Sequence, residues 1–426
     1  MRSRMVDLVA PPFCGHLHPL LGIGRRLAEV FPVRVVSTAA AMPQVRQAGL
    51  EGIALLDGAD DAIAAIVNPP HAVRSNPWRL HGQLRQNLAL LGRFRRELEA
   101  CYEQCSPGLV IADFALPVAG FVAQRRGIPW WTSLPSPCVV ETPDGPPAYL
   151  GGWVPRDDRL GRLRDGAGRR LVRGFKRLMG RMYRSSLREL GIDSLYRQDG
   201  SEIVYSPQRI LALGSEVIEF PRRWPESLSL VGPVLYTPPT AGPAPPFRAD
   251  RRHVLVTIGT HLLWLKEAMA AAVAEAARRL PHIEFHFSDG SAGSCSVVSE
   301  GNFHRIGYVD YARHLARYDL VVHHGGAGVM YHCLRHGKPA LVHPVDYDQF
   351  DHAARLVWAG VARRLHRMDA LAECVATALD DETLRRRCSA LGQSLAATSA
   401  EETVAAWVHD LLGVPCTADL PLTAPA

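Results

Sequence analysis

The sequence lacks any apolar run long enough to cross a bilayer, because a spanning helix needs about 20 consecutive apolar residues. The apolar run at residues 5–10 is shorter than the hydrophobic region of a signal peptide and ends at Pro11 and Pro12. Cysteine pairs are also missing, since the nine cysteines are odd in number and include no CxxC. These absences argue against a membrane-spanning protein or a disulfide framework and favour a cytoplasmic protein with reduced thiols.

Positive charge is in only slight excess over negative charge, with a formal net charge of +6. Most of the positive excess falls in residues 156–188, which are rich in arginine. A solvated helix face is the simpler interpretation of this segment. Peripheral contact with an acidic membrane surface through residues 156–188 is the alternative, and it leads us to consider both a cytoplasmic and a membrane-associated location. We expect no nucleic-acid partner.

The length of 426 residues predicts two domains. Strand-like apolar runs alternate with helical patterns, which is typical of an α/β fold with parallel sheets. Residues 236–252 are rich in proline and small residues and read as a linker. We therefore predict two doubly wound, Rossmann-like domains, 1–235 and 253–412, that face a cleft. The extreme C-terminal segment is expected either to pack back or to be disordered.

Two side chains at predicted strand ends of the first domain could form a general base. His16 and His18 follow the first predicted strand, and we expect a loop there, with the helix beginning at about Leu20. Histidine is suited to remove a proton near neutral pH. Asp113 ends another buried strand and could orient the imidazole. The simpler interpretations are a surface loop histidine and an aspartate that caps the next helix.

A glycine-rich turn at residues 323–328, HHGGAG, precedes a short predicted helix. The turn would let the backbone approach a ligand closely, and the helix N-terminus would favour negative charge, so the arrangement suits a phosphate. His332 and His336 share a helix face, but no HExxH glutamate accompanies them. A zinc site is therefore disfavoured.

An acidic loop follows the next predicted strand of the second domain. Its polar side chains are Asp346, Asp348, Gln349 and Asp351. Carboxylates and carboxamides pair well with sugar hydroxyls. An N-cap cluster for the following helix is the alternative, although capping requires fewer such residues.

Five motifs in this order resemble a known family. They are GHLHP (15–19), IADF (111–114), LVGPV (230–234), VTIGT (256–260), and HHGGAG (323–328) followed by PVDYDQ (344–349). The chain resembles the UGT-like, GT1-type nucleotide-sugar-dependent glycosyltransferases, which have the GT-B fold, and is similar to bacterial carotenoid and natural-product glycosyltransferases. The resemblance implies an acceptor-binding N-terminal domain and a donor-binding C-terminal domain.

The resemblance also implies roles for individual residues in an inverting, metal-independent transfer without a cofactor. His16 would be the general base, and Asp113 would orient it. The expected substrates are a UDP-glucose-like or dTDP-deoxysugar donor and a small, hydrophobic, hydroxylated acceptor. The implied donor-binding residues are Thr260, Val309, Tyr311, His324, Gly325, Gly326, Gly328, Val329, His332, Asp348 and Gln349.

Three departures from the family pattern concern the donor. Val329 stands where a serine or threonine is usual, His332 stands where a ribose-binding glutamate is frequent, and Val309 opens a loop that differs from the family's. The alternative function is a catalytically inactive auxiliary of the same fold that activates a partner enzyme. We disfavour it, and also an epimerase or a lipid-linked transferase, because the motifs for base, phosphate and sugar are all present. Monomer and homodimer both remain open.

Overall fold

The computed structural model describes residues 3–70, 77–239, 242–291, 294–395 and 399–413. Two α/β units follow each other along the chain. The strands are β1 (Val6–Val9), β2 (Val33–Ser37), β3 (Glu51–Ala54), β4 (Leu109–Asp113), β5 (Trp130–Leu134), β6 (Ile210–Ala212), β7 (Leu228–Leu230), β8 (Arg252–Thr257), β9 (Ile283–Ser288), β10 (Val297–Glu300), β11 (Phe303–Ile306), β12 (Leu320–His323), β13 (Ala340–Val342) and β14 (Ala362–Arg364).

Helices connect and cover these strands. They are α1 (Cys14–Leu27), α2 (Met42–Gln47), α3 (Asp60–Val67), α4 (Pro77–Gln104), α5 (Pro117–Arg125), α6 (Arg159–Met182), α7 (Arg184–Glu189), α8 (Lys266–Arg279), α9 (Tyr311–His314), α10 (Ala327–Arg335), α11 (Gln349–Trp358), α12 (Leu371–Leu379), α13 (Glu382–Leu395) and α14 (Ala400–Leu412). In the ranges described, no helix combines the length and the apolar character that a bilayer crossing requires.

The first sheet has the strand order β3-β2-β1-β4-β5-β6-β7, and its strand pairs are parallel. The order reverses between β1 and β4, where Val9 pairs with Ala112. In doubly wound sheets, ligands bind beyond the carboxyl ends of the strands at this reversal. His16 lies in the first turn of α1, just after β1, and Asp113 is the last residue of β4, so the topology brings the two predicted catalytic residues together.

The second sheet has the order β10-β11-β9-β8-β12-β13-β14. It is parallel except for the hairpin of β10 and β11. Its reversal lies between β8 and β12, where Thr257 pairs with His323. The VTIGT and HHGGAG motifs therefore end neighbouring strands. The two predicted doubly wound domains are present, each with a buried core on both faces of its sheet.

The segment predicted as a linker carries no helix or strand in its described part before Arg252. It is held at both ends: the Arg25 guanidinium lies 5.2 Å from the Tyr236 ring centroid. Phe247 packs against His286 and Tyr318 of the second domain at centroid distances of 5.2 and 5.0 Å. Residues 240–241 lie outside the described residues.

The last described helix, α14, packs on the first domain. Ala400, Val404 and Val408 are buried in the core of the first domain, beside α1. Residues 400–412 therefore return to the first sheet, although the sequence pattern assigned them to the second domain. The segment from Pro415 onward, expected to pack back or to be disordered, lies outside the described residues.

Candidate functional site

A cavity of about 580 Å³ lies between the carboxyl edges of the two sheets and is lined by both domains. Most of the predicted site residues line it, namely His16, Thr260, Tyr311, His324, Gly326, Gly328, Val329, His332, Asp348 and Gln349. Asp113 lies behind His16 rather than on the wall. Such an enclosed, two-domain cleft is a usual place for a small-molecule site.

The centre of the first-domain wall is a histidine–aspartate pair. His16 Nδ1 lies 2.9 Å from Asp113 Oδ1, and the Asp113 side chain is fully buried. The same carboxylate oxygen accepts a hydrogen bond from the backbone N–H of Ala115 at 2.9 Å. The His16 ring stacks on Phe114 with centroids 5.5 Å apart. These contacts hold the ring and leave Nε2 as the nitrogen available to a substrate.

Burial lowers the pKa of His16, but the charge and hydrogen bond of Asp113, with a smaller effect of Asp348, outweigh it and raise the pKa above the usual 6.5. The imidazolium that forms when His16 takes a proton is therefore stabilised. A raised pKa strengthens the base while leaving it unprotonated above that pKa.

The expected loop around His16 and His18 is wrong in its boundary. Helix α1 begins at Cys14 and carries both histidines in its first turns, with Pro19 inside the helix. Prolines and glycines suggested a loop, but the helix continues through Pro19, its sixth residue, although a proline there removes one backbone hydrogen bond. His18 points to a different partner, since its Nε2 lies 2.7 Å from Gln44 Oε1.

The glycine turn before α10 is shaped around the His324 ring. A Cβ on Gly326 would lie 2.5 Å from His324 Nε2, and one on Gly259 would lie 2.9 Å from His324 Cε1. Neither position leaves room for a side chain while His324 keeps this orientation. Glycine at both sites therefore allows the ring to lie between the two strand-end loops.

Gly325 sets the direction of the turn. Its φ of 100° is rarely adopted by other residues. Its N–H donates to His323 Nδ1 at 3.0 Å, and its carbonyl oxygen lies 2.7 Å from His352 Nδ1 of α11. The turn is thus held from both sides. Gly325 supports the cavity wall without lining it.

Three histidines around the turn are neutral near pH 7. Burial is the main cause, and it lowers the pKa of His261, His324 and His332 to about 4 each. Each has a buried Nδ1 without a hydrogen-bond partner among the described residues. With the free N–H groups at the start of α10, they offer neutral donors and acceptors to a ligand.

The side chains at all three departures from the family pattern are buried, and two of them, Val329 and Val309, are apolar. Val329 is packed with Leu255 and Val309 in a small apolar cluster, so its backbone is what a ligand can reach. Val309 does not line the cavity, and its neighbour Tyr308 does. The prediction of Val309 as a donor contact therefore finds no support in the cavity wall, whereas Tyr311 lies there as expected.

His332 lies on the cavity wall beside Tyr311, with ring centroids 5.6 Å apart. The Tyr311 hydroxyl is 3.0 Å from Thr257 Oγ1, and burial raises its pKa to about 12. Tyr311 thus stays a neutral phenol. The wall here is aromatic and uncharged.

The acidic loop separates into structural and exposed members. Gln349 Oε1 accepts from the N–H groups of Val345 and Asp346 at 2.9 and 3.0 Å, so its carbonyl holds the loop. Asp351 Oδ2 accepts from the N–H of Tyr149 in the first domain at 2.9 Å. Asp348 is half-buried on the cavity wall, and its carboxylate has no hydrogen-bond partner in the described part of the chain. Among these carboxylates, Asp348 is the one free to bind a ligand.

Sequence reasoning did not find the apolar part of the cavity. It is formed by α3, α4 and the loop after β4, through Ile63, Ile66, Val67, Leu90, Leu91, Phe94 and Leu116. Their helical spacing looks like that of ordinary core residues. His261 was also missed, although it directly follows Thr260 of the VTIGT motif.

In the described residues, one group of side chains has the spacing of metal ligands. The ligand atoms of Cys138, Asp348 and His352 lie within 4.8 Å of one another. Burial raises the pKa of the Cys138 thiol well above its usual range, which works against the thiolate that metals bind. His352 already uses Nδ1 on Gly325.

Known glycosyltransferases are similar to this chain in sequence. Residues 282–411 match the family model "Erythromycin biosynthesis protein CIII-like, C-terminal domain". The zeaxanthin glucosyltransferase of Pseudescherichia vulneris is 27% identical over 73% of this chain and 77% of its own length. The O-mycaminosyltylonolide 6-deoxyallosyltransferase of Streptomyces fradiae is 32% identical over 48% of this chain and 50% of its own length.

Solved structures share the fold over nearly the whole chain. The glycosyltransferase of kitacinnamycin superposes with a TM-score of 0.74 at 21% identity, covering 97% of this chain and 100% of that one. A Streptomyces sp. SF2575 glycosyltransferase complexed with thymidine diphosphate gives 0.68 at 18% identity, covering 96% and 100%. These likenesses confirm the predicted GT-B fold.

Proposed function

We propose that this chain, which resembles the GT1-type glycosyltransferases in its motifs and its fold, transfers a hexose from a nucleoside diphosphate sugar to a hydroxyl of a small apolar acceptor, with inversion. The observation that carries the proposal is the meeting of three groups in one cavity. These are the His16–Asp113 pair, the glycine turn at the start of α10, and the unpartnered Asp348.

His16 Nε2 takes the proton of the acceptor hydroxyl as the acceptor oxygen bonds to the anomeric carbon. Asp113 keeps Nδ1 protonated and stabilises the imidazolium. The bond from the anomeric carbon to the diphosphate oxygen breaks, and its electrons leave with the nucleoside diphosphate. Attack from the side opposite to this leaving group inverts the configuration.

The leaving diphosphate gains negative charge and lies, in this proposal, over the glycine turn. The N–H groups that begin α10 and the neutral His324 donate to it, with Thr260 on the opposite loop. Because these donors are held in place before the reaction, they support a metal-independent transfer that needs no cofactor.

Asp348 accepts hydrogen bonds from the sugar hydroxyls. Gln349 has only its side-chain N–H₂ group left for the sugar, because its carbonyl oxygen already accepts two backbone hydrogen bonds. Its contribution to sugar recognition is therefore secondary to that of Asp348.

The nucleoside lies against Tyr308, Tyr311 and His332. A glutamate at position 332 would offer two oxygens to ribose hydroxyls, whereas a neutral imidazole offers one acceptor nitrogen. A deoxyribose, with fewer hydroxyls, matches the smaller acceptor capacity. We therefore favour a dTDP-sugar over a UDP-sugar.

The acceptor occupies the apolar part of the cavity, between α3, α4 and the loop after β4. Ile66, Leu90 and Phe94 offer no hydrogen-bonding groups there, so an acceptor gains affinity by burying apolar surface. This supports an isoprenoid, lipid-like or polyketide-like molecule with one hydroxyl near His16.

The deciding experiment measures release of UDP or dTDP from a panel of nucleotide sugars with apolar hydroxylated acceptors. Thermal shift measured with the same donors gives binding independently of turnover. Turnover that is lost in His16→Ala supports the transferase. A donor-dependent shift without turnover for any acceptor would instead favour the auxiliary protein, and no shift with any donor would exclude the donor site.

Replacing Asp348 by asparagine is expected to lower kcat/KM for the sugar donor by about tenfold or more, because a charged hydrogen-bond acceptor to the sugar is lost. The affinity for the free nucleoside diphosphate should stay unchanged, since that molecule carries no hexose. Steady-state kinetics and calorimetric titration with the diphosphate separate the two. An equal loss in kcat/KM for the donor and in affinity for the free nucleoside diphosphate would instead place Asp348 at the diphosphate.

A further inference from the structure

Helix α6 presents an apolar stripe to solvent. Six of its large apolar side chains are 49–71% exposed, namely Leu160, Leu163, Leu171, Phe175, Leu178 and Met182. Their spacing of three and four residues, with Ala167 and Gly174 between, places them on one face of the helix. A soluble helix normally turns such a face toward the core.

The opposite, polar face of α6 packs on the protein. Lys176 Nζ lies 2.6 Å from Glu202 and 2.9 Å from Glu141. The Arg173 guanidinium donates to the Gly200 carbonyl oxygen at 2.6 Å and lies 4.3 Å from the centroid of Tyr196. The helix is therefore held on the protein by its charged side chains, and its apolar face points outward. The sequence analysis favoured a solvated basic face and did not identify this exposed apolar stripe.

Arginines border the stripe along one side. Exposed arginines directly precede five of the six stripe residues, at positions 159, 162, 170, 177 and 181. Within the described ranges, Arg159, Arg170 and Arg181 have no carboxylate within ion-pair distance. The stripe thus has a positive edge whose charge is not neutralised by the protein.

We propose that α6 is a peripheral membrane anchor that lies in the interface of an anionic bilayer. The apolar stripe enters the boundary between headgroups and acyl chains, and the arginines pair with lipid phosphates. Charge complementarity selects this occupant, because the unneutralised arginines would oppose contact with a second copy of the same basic face. The inference stands apart from sugar transfer, although such a position would suit an acceptor dissolved in lipid.

Co-sedimentation with vesicles tests the anchor. The full chain is expected to bind vesicles of phosphatidylcholine and phosphatidylglycerol, to bind pure phosphatidylcholine weakly, and to lose binding as salt rises. The double variant Leu171→Ser/Phe175→Ser should weaken partitioning by at least about tenfold. Arg170→Glu/Arg181→Glu should weaken binding to the anionic vesicles alone.

A matched control is Val298→Ser, which removes an apolar side chain exposed to a similar degree (65%) on β10. It should bind vesicles like the parent, and circular dichroism should show all variants folded. Equal vesicle binding by the parent and the Leu171→Ser/Phe175→Ser variant would overturn the proposal. Absence of vesicle binding by the parent would also overturn it. If the parent then self-associates in sedimentation while the double variant is monomeric, the stripe contacts a second copy of the chain and not a bilayer.

Discussion

Replacing Asp113 by asparagine is expected to lower kcat/KM by about 10³-fold, within the usual range of a positioned general base. Asparagine keeps the size of the side chain but cannot stabilise the imidazolium. It can also present its N–H₂ group to His16 Nδ1, which would place the proton on Nε2, where a base needs a lone pair. Release of nucleoside diphosphate under single-turnover conditions measures the loss.

The pH profile gives the same variant a second readout. In the parent, Asp113 raises the pKa of His16 above 6.5, so the protonated, inactive form persists to a higher pH. Activity should therefore rise with pH through an acid limb above 6.5. Without the carboxylate, burial remains and lowers the pKa of His16, so the acid limb should move to lower pH while the plateau falls.

Two further variants separate catalysis from packing. His16→Ala should lose as much activity as Asp113→Asn, and the double variant should lose little more, because the two residues act as one unit. His18 lies two positions further on the same helix, and its side chain contacts Gln44. The His18→Gln variant should therefore show the acid limb of activity at the same pH as the parent. An Asp113→Asn variant with the parent rate and profile would refute the pairing.

Much of the site could be predicted because it lies at strand ends. The apolar strands before His16, Asp113 and His324 are readable from sequence, and parallel topology then brings their carboxyl ends to one edge. Spacing alone did not say that His16 lies in the first turn of a helix, since Gly15 and Pro19 look like loop residues.

The remaining features depend on contacts between segments distant in sequence. Nothing in the local pattern of residues 400–412 distinguishes packing on α1 from packing on the second sheet. The apolar stripe of α6 reads like a buried face, and it faces outward because the opposite face is held on the protein, in part by the pairing of Lys176 with Glu141 and Glu202. Likewise, the two amide contacts that occupy Gln349 Oε1 follow from the shape of its loop.

Replacing Gly326 by alanine is expected to weaken binding of the nucleoside diphosphate by about 100-fold, a cost comparable to losing an oriented hydrogen-bond donor in a buried site. The backbone at Gly326 (φ −65°, ψ 141°) accepts alanine without strain. The new Cβ would instead lie 2.5 Å from His324 Nε2, so the ring must leave the diphosphate site. Calorimetric titration with dTDP and UDP measures the loss.

Folding stability and donor binding should respond differently in Gly326→Ala. The melting temperature of the free protein should stay the same or rise slightly, because alanine restricts the unfolded chain. The increase in melting temperature caused by the nucleotide should shrink. In a His324→Ala background, Gly326→Ala should add little further loss, since the ring it displaces is already gone. Additive losses in the double variant would mean that Gly326 acts on the ligand through its own backbone, not through His324.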